Sequence, residues 1–333
     1  MKKLSIAALC LCSFLSMAQS YAPQVGTAGT TAISKDSPLF TSWAANCTVV
    51  RGLQQINGTT GTYADAGTEA NGAGTANGSI VSLGDGGTAT LTFSKAITNG
   101  NGFDFAIFEN GFASGGSGQA YLELAFVEVS SDGVNFFRFP SHNEYPSNYI
   151  QNSASPGFAT MDARYLNNFA GKYISGYGTP FDLSDLPDNP LLDKSRITHV
   201  KIIDVVGTNI DGYKTFDSFG NVAVDPFPTP FGSSGFDLDA VGVINESNTV
   251  LSAAESGVTD QRISVYPNPA SDFIIIKAKK DVEVKIYSIS GALVKQGKTV
   301  NQRMDISSLQ NGNYIVQTVS EGQQHNLKLI ISR

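Results

Sequence analysis

Apolar runs in this chain are short, and nearly every one is closed by a cluster of Gly, Asn or Asp. Such punctuation leaves no room for a sustained helical period and forces the chain into strands joined by turns. The 34 Gly among 333 residues supply the turns, and the 20 Phe and 12 Tyr suit pleated, half-buried surfaces. Phe103 to Glu109 alternates, with Phe103, Phe105 and Ile107 on one face and Asp104, Ala106 and Phe108 on the other. Ile80 to Leu83 and Thr88 to Phe93 flank Gly84-Asp85-Gly86-Gly87, which reads as a hairpin. Tyr121 to Val129 reads as one long strand, turned by Ser130-Ser131-Asp132-Gly133 into Phe136 to Phe139. His199 to Val206 and Phe236 to Ile244 complete the strong strands, and a short helix is expected only near Met161 to Phe169. The expected fold is all-β, a jelly-roll-like sandwich.

A chain of this length exceeds what one core serves, so two folded units are expected. Residues 1–18 read as a signal peptide: Lys2 and Lys3, an apolar stretch from Leu4 to Leu15, then small residues at Ser16-Met17-Ala18. That apolar stretch is too short to span a bilayer, so no transmembrane segment is expected. Removing it leaves a single cysteine, Cys47, which can form neither an internal disulfide nor a zinc site and is expected to be a buried small hydrophobe. The passenger is placed at 19–245, a linker at 246–261 (the patternless run from Glu246 to Gln261), and a second sandwich at 262–333.

Charge divides the same way. Gln19 to Gly257 holds 10 basic and 23 acidic residues, whereas Val258 to Arg333 holds 10 basic and 6 acidic. An acidic body repels phosphate backbones, which argues against nucleic acid and suits calcium.

The terminal unit carries the most specific motifs. Val265-Tyr266-Pro267-Asn268-Pro269-Ala270 opens it, with Tyr266, Pro267, Asn268 and Pro269 forming a stiff turn. Val284-Lys285-Ile286-Tyr287-Ser288-Ile289-Ser290-Gly291 follows, with Gly291 in a hairpin turn. Asp305-Ile306-Ser307-Ser308-Leu309-Gln310-Asn311-Gly312-Asn313-Tyr314 then allows a bend at Gly312, before a closing Lys328-Leu329-Ile330-Ile331. In register, these resemble the C-terminal sorting domain of the type IX secretion system. The resemblance implies a small immunoglobulin-like sandwich, the type IX machinery as partner, and a secreted or outer-surface location after passage through the periplasm. It also implies removal of the tail.

The passenger resembles a family of bacterial cell-surface proteins of unassigned activity. The words that carry this are Val81-Ser82-Leu83-Gly84-Asp85-Gly86-Gly87, Phe103 to Asn110, Glu123 to Gly133, Gly176 to Leu183 and Gly235 to Val241. Val127 to Phe137 is also similar to the strand-turn-strand of discoidin and other galactose-binding-like jelly rolls, which implies binding.

Acidic residues within apolar strands are the candidates for chemistry, because an unpaired charge there is costly. Asp104, Glu109, Asp237 and Asp239 are expected to form a structural calcium site, although the alternation also allows Asp237 and Asp239 simply to face solvent. Tyr145, Tyr149, Tyr173 and Tyr177 fall in loop-rich stretches and are expected to present rings to a ligand. His142, His199 and His325 stand in no recognisable motif, and no G-x-S-x-G or H-E-x-x-H is present. Glu109, Glu123 and Glu128 are the carboxylates a glycosidase would use.

The favoured expectation is non-catalytic binding of an extracellular ligand, carbohydrate first. Surface capture of another nutrient, such as a cobalamin-like small molecule, stands second. A carboxylate-based glycoside hydrolase and a structural or adhesive surface protein follow.

Overall fold

A computed structural model describes residues 21–149, 160–251, 263–278, 280–289, 291–320 and 323–333. The signal peptide expected over 1–18 lies outside these residues. Among them there is no α-helix, only three short 3-10 turns between strands.

The passenger is a sandwich of two antiparallel sheets, as its pattern predicts. One sheet runs Ile33–Ser34, Tyr177–Phe181, Phe105–Glu109, Asp237–Val243, Ser42–Trp43, with Val81–Ser82 also paired to Asp237–Val243. The other runs Phe137–Arg138, Ala125–Ser130, Ile197–Asp204, Thr88–Ile97, Glu246–Val250, with Asn46–Val50 also paired to Thr88–Ile97. Between them Phe105, Ile107, Leu238 and Val241 from the first sheet meet Leu91, Val127, Val129, Val200 and Ile202 from the second. Each such side chain contributes about 1.5–3 kcal/mol by leaving water.

The first sheet is buried on its outer face too. There Ala106, Phe108 and Ala240 pack under Ile33, Phe40 and Trp43 of the N-terminal segment. Every residue of Phe105–Glu109 and of Asp237–Val243 is consequently buried. The solvent-facing reading of Asp237 and Asp239 therefore fails, because a strand's period shows which residues share a face but not what covers it. A further cluster, containing Leu122, Leu124, Phe126, Met161, Leu166, Phe169 and Val224, ties the segments 140–149, 160–175 and 205–225 to the outside of the second sheet.

Four expectations change. Val81–Ser82 and Thr88–Ile97 belong to different sheets, so Gly84-Asp85-Gly86-Gly87 is a crossover and not a hairpin. It is tight: Gly84 has φ +75°, and a Cβ on Gly87 would sit 2.0 Å from the Leu83 carbonyl oxygen. The long strand from Tyr121 divides into Gln119–Tyr121 and Ala125–Ser130, which pair in different sheets. The helix near Met161 is one 3-10 turn, Ala163–Tyr165, capped by the Asp162 carboxylate. The expected linker begins with a strand, Glu246–Val250, that pairs with Thr88–Ile97 and extends the passenger beyond 245.

Cys47 is a buried free thiol, pushed up to about 12 by desolvation. It behaves as the small hydrophobe the sequence suggests.

The terminal unit packs Ser264–Tyr266, Phe273–Lys277 and Arg303–Asp305 against a sheet of Leu293–Lys298, Glu283–Ser288, Gly312–Ser320 and Gln323–Ile331. Ile274, Ile276, Val284, Ile286, Val316 and Leu329 fill its core. Its opening and closing motifs meet in space. Asn268 donates through Nδ2 to the Lys328 carbonyl at 2.8 Å and accepts at Oδ1 from the Ile330 amide at 2.8 Å. The Ala270 amide donates to the Ile330 carbonyl, and Arg333 donates to the Leu309 and Ile306 carbonyls. Asn268 thus does for the last strand what a neighbouring strand would do, satisfying backbone groups at its edge.

Candidate functional site

The site lies where Phe105–Glu109 runs out of its sheet. Beyond Glu109 the chain turns through Asn110 and Gly111 into Phe112–Ala113, which pairs with Gln119–Tyr121. Leu122 and Leu124 plunge into the cluster beneath, and Glu123 between them is left on the opposite side. Across from this hairpin the loop through Thr229, Phe231 and Ser233 leads into Asp237–Val243. Between the two is a cavity of about 190 Å³, lined by Asn110, Phe112, Tyr121, Glu123, Thr229, Phe231, Ser233 and Asp237.

One wall is aromatic. Phe112 stacks on Tyr121 with centroids 5.0 Å apart and planes at 17°, and Phe112 and Phe231 are 45% and 50% exposed. The other wall is acidic. Tyr121 donates its hydroxyl to Glu123 Oε1 at 2.9 Å. Asn110 donates through Nδ2 to Asp237 Oδ2 at 2.8 Å, and the Ser82 hydroxyl donates to Asp237 Oδ1. Glu109 lies just behind, accepting the Gly111 amide at 2.7 Å on Oε2 while its Oε1 is buried without a hydrogen-bond partner.

Burial, then mutual repulsion, raises the proton affinity of this group. Glu109 and Glu123 are held well above the usual carboxylate range, each by desolvation and then by Asp237. Asp237 is pushed up to about 6 by burial, restrained by its bonds from Ser82 and Asn110 and by the positive charge of Arg51. The acidic ground continues inward. Asp225 accepts the Leu124 amide and Asp204 the amides of Gly86 and Phe236, both raised by burial. Asp85 accepts the Ile56 amide at 2.8 Å and is pushed up to about 7 by burial.

Of the four acids expected to share an ion, the structure brings Glu109 and Asp237 together and places Asp239 within electrostatic reach of Glu109. Asp239 is occupied by the amides of Asn77 and Gly78. Asp104 precedes the strand that Glu109 ends, which puts it about 16 Å away at ~3.3 Å per residue. There it accepts from the Gly100 and Leu183 amides and from Asn245, fastening loops. Asp104 is therefore a structural cap and not a neighbour of the other three. Among the described residues no three such side chains are arranged to hold a metal ion.

The tyrosines divide as well. Tyr145 and Tyr173 are buried, the first bonded to the Asp162 backbone and the second to Thr31. Tyr149 is 45% exposed and packs on Tyr145, and Tyr177 is a half-buried strand residue paired with Ser34. None of the four lines the cavity. Buried tyrosines in loop-rich sequence pin those loops, which is why composition alone could not sort them from exposed ones. Glu128 is ion-paired on the outer face with Arg138 at 2.9 Å and Lys201 at 3.8 Å, away from the cavity. His142 is engaged by the Tyr21 hydroxyl at 2.5 Å and by the Phe219 ring. The site residues missed in the sequence are Phe112, Tyr121 and Phe231, which nothing in the sequence marks among 20 Phe and 12 Tyr.

Residues 264–332 match the secretion system C-terminal sorting domain. This defines the chain as an exported passenger carrying a type IX sorting tail, destined for the cell surface or beyond. Among the described residues no helix is long and apolar enough to cross a membrane. The chain is also similar to β-agarase D of Zobellia galactanivorans, with 32% identity over 77 residues, 23% of this chain and 16% of that protein. That stretch is little longer than the sorting tail, and the chain spans under a fifth of the relative's length.

Among solved structures, a β-1,2-glucanase from Parabacteroides distasonis aligns at TM-score 0.23 and 11% identity, over 94% of this chain and 39% of that one. PorZ, a type IX secretion surface component of Porphyromonas gingivalis, aligns at TM-score 0.20 and 12% identity, over 88% and 39%. At such scores neither superposition carries an argument.

Proposed function

We propose that the exported passenger holds an extracellular carbohydrate in the cavity between Phe112, Phe231 and the acidic wall. The observation that carries this reading is the pairing of a stacked, part-exposed aromatic wall with carboxylates and an amide on the facing side. A sugar ring has the matching asymmetry: its C–H face packs on aromatic rings and its hydroxyls donate to carboxylates. The volume lies below the ~300 Å³ at which pockets begin to enclose drug-sized molecules, so it suits a single sugar residue or a chain end. A cobalamin-like nutrient would meet only the rim. Expected results are that Phe112→Ala and Asn110→Ala each weaken glycan retention about tenfold, the size of one lost packing or hydrogen-bonding contact. Tyr145→Ala is expected to lower stability instead. Retention on a glycan array is the measurement, and unchanged retention in both cavity variants would remove the cavity from consideration.

A second reading, glycoside hydrolysis, is favoured by one specific observation. Glu123 and Asp237 face one cavity, and burial raises both above the usual carboxylate range, Asp237 to about 6, which suits such a carboxyl group to hold or give up a proton near neutral pH. Release of reducing ends from glycan pools, lost in Glu123→Gln and in Asp237→Asn, would establish turnover. Retention without release leaves the protein a binding module.

A further inference from the structure

We infer that the tip of the 215–223 hairpin is a second carbohydrate-binding surface, on which the rings of Phe216 and Phe219 carry sugar units of a neutral polysaccharide. Its ligand class rests on the carbohydrate reading, while its residues are separate from the cavity. The hairpin is closed by the pairing of Phe216 with Val222 and by the Ala223 amide, which donates to the Thr215 carbonyl. At its tip Phe216 and Phe219 are 52% and 68% exposed, and Ile210 and Tyr213 lie exposed in the turn before it. Single exposed apolar side chains are ordinary, but these four in the run from Ile210 to Phe219 form a patch.

A loose loop does not account for the exposure, because the tip is fixed. The buried Asp217 carboxylate accepts the amides of Asn143, Phe219 and Asn221 and the Asn221 side chain. Ser218 donates its amide to the Ser141 carbonyl, and its hydroxyl oxygen accepts the Ser141 amide. The Phe219 ring leans on the His142 imidazole with centroids 4.4 Å apart, and the Tyr21 hydroxyl is bonded to that imidazole at 2.5 Å. Phe219 is thus supported from within and open to solvent outside. Rings already held in place bind without the ordering cost of mobile ones.

Area, charge and polarity select the occupant. The exposed parts of the four side chains come to roughly 400 Å², about half of the ~800 Å² that each partner gives to a stable protein interface. With 23 acidic and 10 basic residues over Gln19–Gly257, the body repels anionic lipid and acidic polysaccharides. Exposed Ser218 lies between the two Phe and exposed Asn221 just beyond them. A sugar packs its C–H face on such rings while its hydroxyls meet the polar neighbours.

The hairpin also rises from the ground that carries the cavity. Val222 packs on the cluster holding Leu122 and Leu124, on either side of Glu123, and Asp225 accepts the Leu124 amide. Three residues separate Val222 from Asp225, at most about 10 Å of chain. A polysaccharide long enough to reach both sites makes its second contact intramolecularly, so it is retained more firmly than a short sugar.

The test is retention of the full-length chain lacking residues 1–18 on agarose, cellulose and starch, beside its binding to di- and trisaccharides on the glycan array. Phe219→Ala is expected to weaken retention on at least one of these polymers about tenfold, and Phe216→Ala with Phe219→Ala about a hundredfold. Short-sugar binding and the melting temperature are expected to stay unchanged, and Phe219→Tyr, which keeps a ring, is expected to retain the polymer. Phe112→Ala is expected to weaken polymer and short sugars alike. Polymer retention unchanged in the double variant but weakened in Phe112→Ala overturns the second surface and leaves the cavity reading intact. Loss in the double variant, with Phe112→Ala without effect, supports the surface and removes the cavity. Retention of the unaltered chain on none of the polymers overturns the inference. Sedimentation with phosphatidylcholine vesicles, or dimerisation in ultracentrifugation, that is lost in Phe219→Ala would then assign the patch to lipid or to a second copy.

Discussion

Deleting residues 262–333 is expected to abolish surface display while leaving the passenger folded and trapped in the periplasm. The expectation is all-or-none, because a sorting signal is read by the export machinery and not by the passenger's core. The passenger has what it needs to stand alone. The edge strand of its second sheet, Glu246–Val250, lies upstream of the deletion, and among the described residues its core clusters contain none from the tail. A finer version uses the clamp between motifs. Asn268→Ala removes both bonds to the last strand and is expected to cost the tail about 1 kcal/mol, since these exposed backbone groups then turn to water. Fractionation of cells carrying the type IX machinery measures the first effect, and thermal melting of the full chain measures the second. Normal surface display of the truncated chain would refute the role of the tail.

Raising the pH from about 5 to about 8 is expected to lower the passenger's melting temperature by several degrees, on the order of 10 °C. The groups responsible are Asp85, pushed up to about 7, Asp237, pushed up to about 6, and Glu109, Glu123, Asp204 and Asp225, all raised by burial. Each takes up a proton more readily folded than unfolded, where an ordinary carboxyl titrates near 4. Its stabilising contribution is therefore complete below about 4 and is lost as the pH climbs through the folded value.

For Asp85 alone the shift of roughly three units caps the effect at about 4 kcal/mol, which in a domain of this size corresponds to about 10 °C. Opposing carboxylates set the acid limit. Asp132, held low chiefly by bonds from Asn135, and Asp162, held low chiefly by Arg164, lose stability only as the pH falls below the ordinary range. Thermal melts from pH 4.5 to 8 test this, with Asp85→Asn expected to flatten the curve by keeping an oxygen for the Ile56 amide without the charge. A melting temperature that is level or rising across this span would refute it. Running the series in chelator and again in millimolar calcium tests the structural calcium expected from the sequence. A rise with calcium near pH 8, reduced in Asp237→Ala, would show the repulsion relieved by an ion.

Strand positions were legible because period and turn residues are local properties of the chain. Phe105–Glu109, Ile197–Asp204 and Asp237–Val243 lie within runs recognisable from alternation and their Gly or Asp boundaries. The tail was legible throughout, since Phe273–Lys277, Glu283–Ser288 and Gly312–Ser320 are separated by turns of fixed chemistry. Pairing was not. Gly84-Asp85-Gly86-Gly87 has the composition of a hairpin turn and is a crossover between sheets. The choice depends on Asp204, far along the chain, which accepts the Gly86 amide.

The candidate site was half legible for the same reason. Glu109, Asn110 and Asp237 stood out as polar residues beside apolar strands, and the register between Phe105–Glu109 and Asp237–Val243 brings them together. Asp104 stood out equally and lies at the far end of the strand, because identical chemistry in sequence says nothing about which end of a sheet a residue occupies. Phe112, Tyr121 and Phe231 had no distinguishing signal among so many aromatic residues, and only the fold selects them.

By itself the sequence determined that this chain is an all-β exported passenger with a sorting tail, since turn chemistry, strand period and short motifs all act over a few residues. The tertiary structure alone decided which carboxylates are stripped of water. It places the N-terminal segment over the outer face of one sheet and the 225–236 loop over the end of another strand. Desolvation is a property of everything that surrounds a group, and Asp237 meets Ser82, Asn110, Glu109 and Glu123 from more than a hundred residues away along the chain.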